Sequence, residues 1–325
     1  MVKMNLVEAI NSTLMSEMAK NEKIVVMGED VGYDGGVFRV TDGLIKKYGE
    51  TRVIDTPLSE AGIIGCAIGM AAYGLKPVCE MQFEGFIPPA YDHIVSHMVR
   101  FRTRSNGSHK CPIIIRSPYG GGVRALEHHS EAPETLYAHN AGIIVAIPSG
   151  PYDAKGLLVS ALDSEDPVMF FEPKRLYRAF KEEVPEERYS IPFGQAKIVQ
   201  EGSDVTLVTY GAMVRVCMDA AEQLKQKNVN CEIIDLRTVA PLDTETIINS
   251  VKKTGRCVVV HEAPRNLGVG AEVIARINEK ALLDLKAPVK RVTAYDVVTP
   301  LPKLEDYFFP DAGKVIKGVE YVMSF

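Results

Sequence analysis

Short, unbroken apolar runs punctuate the first half of the chain. KIVVMG (23–28), KPVCEMQF (76–83), CPIIIRS (111–117), GIIVAIPS (142–149) and PVMFFEP (167–173) are the clearest. Each is only a few residues long, often β-branched, and bounded by glycine or proline, which predicts buried strands. Longer stretches with helical spacing lie between them, over 5–20, 59–73, 89–104 and 152–163. Strands that alternate with helices imply a parallel sheet covered on both faces.

The alternation breaks at KEEVPEERYSIPFGQAKIVQEG (181–202), which is charged, carries two prolines and has no long period. It reads as a linker or short hairpin. Alternation then resumes: strands at 204–211, 231–237, 257–263 and 288–294, helices at 213–227, 243–253 and 270–283. The prediction is an α/β protein of two doubly wound domains: a parallel-sheet domain over 1–185, a linker over 186–202 and a smaller domain over 203–325.

Composition narrows the function classes. The chain has 325 residues, 46% apolar and 24% charged, with a net charge of −5. That balance suits a soluble globular protein and argues against nucleic acid or an anionic membrane as partner. The amphipathic first twenty residues lack the unbroken apolar core of a secretory signal, and no window reaches the ~18 apolar residues of a membrane span. A cytoplasmic protein is expected. The six cysteines form no C-x-x-C pair, so buried free thiols are expected rather than a metal or redox site.

Three predicted strand ends carry groups capable of chemistry, and in open α/β sheets ligands gather at the carboxyl ends of strands. MGEDVGYDGGVF (27–38) places Glu29 and Asp30 there, although an acidic turn would look the same. In VIDTPLSEAGIIG (53–65), Ser59 suits a helix cap and Glu60 falls in the first helical turn, where the helix dipole favours a carboxylate. Gly62, Gly65 and Gly69 recur along that helix, and interior glycines cost about 1 kcal/mol each relative to alanine, so close approach of another backbone is expected. RSPYGGGVRALEHHSEAPE (116–134) joins a mobile or tightly turned glycine loop to His128 and His129; either a general acid/base or a surface loop is consistent with it.

Two other signals are discounted. His93 and His97 have i,i+4 spacing but lack the intervening glutamate of a metalloprotease helix, and NLGVGAEV (266–273) lacks the third glycine of a dinucleotide fingerprint.

Taken together the strand-end segments resemble one family, the beta subunit of the thiamine-diphosphate-dependent, decarboxylating first component of 2-oxo acid dehydrogenase complexes. The markers are GEDVGYDGGVFRVTDGL (28–44), DTPLSEAGIIGCAIGMAAYG (55–74), MQFEGF (81–86), RSPYGGGVRALEHHSEAPE (116–134), IPSGPYDAKGLL (147–158) and DLRTVAPLDTETIINSVKKTGRCVVVHEA (235–263). The resemblance implies an N-terminal thiamine-pyrimidine-binding domain and a transketolase-like C-terminal domain. Glu60 would bond N1′ of the aminopyrimidine, favouring the 4′-imino tautomer that takes the C2 proton. Phe86 would pack on the ring, Glu29 would support it, and His129 (His128 less so) would orient substrate and move protons during acyl transfer to lipoamide. A structural potassium ion would rest on carbonyls of Ile113, Ala161, Leu162, Ser164 and Asp166, although SED (164–166) departs from the more usual RDN.

The G-D-G motif and downstream asparagine pair that hold magnesium and the diphosphate are absent. The resemblance therefore implies an alpha subunit that supplies them, an alpha2beta2 heterotetramer, and docking on a dihydrolipoyl acyltransferase core with its lipoyl domains. HHSEAPE and PLPKLEDYFFPD lean the expectation towards branched-chain 2-oxo acids, with pyruvate or acetoin as the alternative. A split transketolase half and a non-catalytic scaffold subunit are the rival readings; the first would prefer sugar phosphates to lipoamide, and the second would dispense with Glu60 and His129.

Overall fold

The computed structural model describes residues 1–325. It divides into two compact units, one of residues 1–119 and 136–193, the other of 120–135 and 194–325.

The first unit holds strands β1 (Val2–Met4), β2 (Ile24–Gly28), β3 (Val53–Asp55), β4 (Lys76–Glu80), β5 (Ile114–Tyr119), β6 (Ile144–Ala146), β7 (Val168–Pro173) and β8 (Glu182–Val184). Six of them form a parallel sheet in the order β6-β7-β5-β4-β2-β3. Apart from the short strands β3 and β6, its strands are buried almost throughout, because helices cover both faces of a parallel sheet. β1 and β8 make a separate antiparallel ribbon, with Val2 opposite Val184. Helices α1 (Leu6–Lys20), α2 (Leu44–Tyr48), α3 (Glu60–Ala72), α4 (Phe101–Arg104), α5 (Glu134–Ala138) and α6 (Pro151–Asp163) interleave with the strands, α5 straddling the boundary between the units. α1 opens with a capping box: the Asn5 side chain accepts the Glu8 N–H at 2.9 Å and Glu8 accepts the Asn5 N–H at 2.8 Å.

The expected single helix over 89–104 is a succession of short pieces. Pro88–Ala90 is a 3-10 turn, His93–His97 a π turn, Met98–Arg100 another 3-10 turn, and α4 completes the run. Each change of pitch keeps an apolar residue facing the core, so hydrophobic spacing alone cannot reveal them.

The second unit contains β9 (Lys197–Gln200), β10 (Val205–Thr209), β11 (Cys231–Asp235), β12 (Thr238–Ala240), β13 (Cys257–Pro264) and β14 (Lys290–Ala294), with α7 (Met213–Lys225), α8 (Thr244–Thr254), α9 (Val269–Ala281), α10 (Glu305–Phe308) and α11 (Ala312–Met323). Its sheet has the order β14-β13-β10-β11-β9, parallel except for β9, which runs antiparallel to β11. The segment 181–202 is thus not one hairpin. Its two strands, β8 and β9, join different sheets as antiparallel edges, and short, mostly exposed edge strands leave little apolar signal. α11 was also silent in the strand-and-helix alternation, although Asp311 caps it and Val315, Val319 and Val322 bury its inner face.

Candidate functional site

β2, β3, β4 and β7 end on one edge of the first sheet, and the segments that follow β2, β3 and β4 carry Glu29, Glu60 and Phe86. β2 runs out at Gly28 into the loop that carries Glu29. Asp55, the last residue of β3, pins that loop by accepting the N–H groups of Gly32 at 2.5 Å and Tyr33 at 3.1 Å. A side chain at Gly32 would sit 2.7 Å from the Asp55 carboxylate, which explains the glycine. Thr41 Oγ1 donates to the Val31 carbonyl at 2.7 Å, and Gln82 donates to Asp30 at 3.2 Å, so the loop is tied to both neighbouring segments.

α3 begins after β3 and a short turn. Ser59 caps it, accepting the Gly62 N–H at 3.3 Å, and Glu60 is its first residue. Glu29 and Glu60 are each only 8% exposed. No donor in the chain reaches either carboxylate. Burial raises the Glu29 pKa above the usual carboxylate range, and the charges of Glu60 and Asp30 raise it further. Two largely buried acids without protein donors leave carboxylate oxygens open to a ligand that can donate to them. A heterocyclic nitrogen that shares a proton with a carboxyl group fits that need, so the residues present fit an aminopyrimidine.

Beyond β4, Glu84–Phe86 form a 3-10 turn that presents Phe86 half-buried. The turn is fastened from below: Lys174 Nζ donates to both Glu84 oxygens at 2.8 Å, with both side chains fully buried. Phe83 packs edge-on against Phe86 at 5.9 Å and against Phe38 at 5.6 Å, giving an aromatic wall. Under it, Arg116 bridges Glu80 at 2.8 Å and Glu172 at 2.6 Å, and Tyr177 donates to Glu172 at 2.8 Å. Sequence reading missed this scaffold, since its partners lie on four separate segments; the only local signal was charge at strand ends inside apolar runs.

His129 belongs to the second unit. The loop 120–135 turns tightly rather than hanging free. Glu262 accepts the Gly121 N–H at 3.0 Å, and Glu305 accepts those of Gly122 at 2.9 Å and Arg124 at 3.0 Å. A side chain at Gly121 would collide with the Phe309 ring at 2.0 Å. The 3-10 turn Glu127–His129 then leaves His128 exposed and His129 half-buried, which separates the two histidines that the sequence left open. Glu262 stands near the end of β13, where the strand-end rule applied to the second domain points to it.

The glycines of α3 have a different surrounding from the one expected. A Cβ at Gly65 or Gly69 would meet nothing within 4 Å, so no backbone of this chain approaches them. Near that face, Asp92, His93 and His97 bring ligand-type atoms within 4.8 Å of one another. Arg104 Nη1 lies 3.4 Å from His97 Nδ1, so a cation there would meet a positive charge.

Four of the five residues named for potassium already have donors on their carbonyls. The Leu162 carbonyl accepts Lys76 Nζ at 2.7 Å, Ala161 accepts Ser164 N–H at 3.2 Å, Asp166 accepts Ser164 Oγ at 2.8 Å and Ile113 accepts Val168 N–H at 2.9 Å. An ion on the Leu162 oxygen would stand roughly 4 Å from the ammonium and be repelled by about 4 kcal/mol at an effective dielectric near 20. The set does not fit an added potassium ion while Lys76 is in place.

No helix of the protein is long and apolar enough to cross a membrane. Comparison with known proteins matches residues 2–179 to the transketolase pyrimidine binding domain and 194–315 to the transketolase C-terminal domain. The chain is 53% identical over 310 residues to the pyruvate dehydrogenase E1 component subunit beta of Acholeplasma laidlawii, covering 95% of each chain. It is 49% identical over 325 residues to the subunit of the same name from Staphylococcus epidermidis, covering all of both. Among solved structures, a split-gene transketolase described as an inactive beta4 tetramer superposes with a TM-score of 0.82 over 99% of each chain at 21% identity, and a transketolase mutant from Pichia stipitis with 0.70 over 100% of this chain and 46% of that one, at 13% identity. At those identities the two structures speak for the fold alone. These relatives carry the pyruvate name, not the branched-chain name that the sequence reading leaned towards. The chain belongs to the transketolase-related family of E1 component beta subunits of 2-oxo acid dehydrogenases.

Proposed function

We propose that this chain is the beta subunit of a pyruvate dehydrogenase first component, working with an alpha subunit on thiamine diphosphate. The observation that carries the reading is the pair of buried carboxylates, Glu29 and Glu60, with no donor of their own at the strand ends. The pyruvate assignment follows the names of relatives at 53% and 49% identity and replaces the branched-chain expectation.

When bound, thiamine diphosphate supplies the electron sink that decarboxylation of a 2-oxo acid requires. Glu60 holds a proton at N1′ of its pyrimidine. Glu29, whose proton affinity is raised by burial and then by the charge of Glu60, supports that proton. Phe86 offers a ring face to the pyrimidine, steadied by the Lys174–Glu84 pair. His129 orients substrate and moves a proton as the acyl group passes to a lipoyl thiol. The chain has no motif for the diphosphate or its magnesium, so the alpha subunit holds both, and the open glycine face of α3 suits close approach of that partner. An alpha2beta2 assembly docked on an acyltransferase core follows from the same reading.

The test is a lipoamide-linked assay of the co-expressed alpha and beta chains. Pyruvate should be turned over faster than branched-chain 2-oxo acids; the reverse order would reject the substrate assignment. Glu60→Gln should assemble normally yet lose most turnover, and wild-type rates in that variant would remove Glu60 from the mechanism. His129→Ala should impair lipoyl acylation more than decarboxylation read with an artificial electron acceptor, whereas equal losses would reassign it.

A further inference from the structure

The turn after α6 carries three acids, and each is already matched. Arg188 donates to Asp163 at 2.6 Å, Arg102 donates to both oxygens of Asp166 at 2.9 Å, and Lys110 pairs with Glu165. The backbone of the turn is satisfied from inside the chain by Ser164 and, at Leu162, by a side chain from the first residue of β4. That side chain is Lys76. Its own N–H is anchored to the Lys23 carbonyl at 2.8 Å, and its half-buried stem reaches from the sheet edge to the helix end. Burial works against its charge, while Asp163 and Glu165 work in favour of it. A helix C-terminus with its carbonyls turned outward is a natural seat for a cation.

We propose that Lys76 is the resident cation of the Ala161–Asp166 turn. Its ammonium occupies covalently the role that a potassium ion would otherwise fill, so that folding of this chain needs no monovalent metal ion. The departure of this turn from the usual RDN belongs to the same exchange: Ser164 spends its hydroxyl on the Asp166 carbonyl, and Asp166 spends its carboxylate on Arg102. The inference concerns the chain's own stability and stands apart from the catalytic reading.

Thermal unfolding of the full chain in potassium chloride and in choline chloride, at equal ionic strength, tests it. The wild-type midpoint should be the same in both salts, since choline is too large to replace potassium and no site is left for it. Lys76→Met should unfold at a lower temperature in choline chloride and recover, saturably, as potassium replaces choline. A wild-type midpoint that itself climbs saturably with potassium would overturn the proposal, and so would a Lys76→Met variant that potassium does not rescue. Should Lys76→Met fail to fold, Lys76→Gln repeats the comparison and the wild-type arm still decides.

Discussion

Burial and then the charge of Glu60 raise the proton affinity of Glu29, and the chain provides no cation to quiet either acid. The consequence for stability has a definite sign. An acid whose pKa is raised on folding imposes no penalty below its unfolded value of 4.5 and a growing one as pH rises above it. Glu29→Gln should therefore melt at a higher temperature than the wild type at pH 7 to 8, with the difference closing as pH falls to 4. Unfolding midpoints across that range check it, and a gap that widens on acidification would contradict the argument.

Arg116 is fully buried between Glu80 and Glu172. Removing one partner of such a set strands the other charges, which costs about 3–5 kcal/mol, whereas replacing the whole set with apolar side chains is often neutral. Arg116→Met alone should lower stability by about that amount in denaturant unfolding. The triple replacement of Glu80, Arg116 and Glu172 by leucine or methionine should regain much of it.

His261 sets a second pH dependence. It is fully buried at β13, donates its Nδ1–H to the Ala263 carbonyl at 3.1 Å, and lies against Gly268 and Gly270, whose side-chain space it fills. Burial lowers its pKa from 6.5 to about 4, with a smaller push from Arg291. The folded state thus binds fewer protons than the unfolded state between those values. Stability is held above pH 6.5 and falls by about 3 kcal/mol as the pH drops to 4. His261→Asn should flatten the melting profile over that window, while Gly268→Ala, which would press on the ring at 2.6 Å, should destabilise at every pH.

If the open face of α3 meets the proposed alpha subunit, substitutions there should separate folding from assembly. Gly69 is exposed and has space around it, so Gly69→Ala should stabilise the isolated chain by ~0.5–1 kcal/mol through helix propensity alone. Gly69→Leu should also fold, yet weaken association with the alpha subunit in size-exclusion chromatography. Unchanged association would free that face from the interface.

Much of this was legible in the sequence because it is local. Buried parallel strands announce themselves as apolar runs, and the Ser59 cap placed Glu60 at the head of α3. What stayed hidden depends on distance along the chain. Lys174 meets Glu84 across 90 residues, Arg116 meets Glu172 across 56, and Lys76 reaches Leu162 across 86. No periodicity encodes such pairs. The edge strands β8 and β9 were missed for the opposite reason, being too short and too exposed to carry a pattern.

The loop 120–135 interrupts the first unit in chain order but folds with the second. The C-terminal half is therefore not a removable module. A fragment cut at residue 194 would lose the Gly121, Gly122 and Arg124 amides that Glu262 and Glu305 depend on, leaving both acids to water. Exchanging that half between relatives by a single crossover would join a foreign loop to native acids, and a working hybrid would need two splice points instead of one.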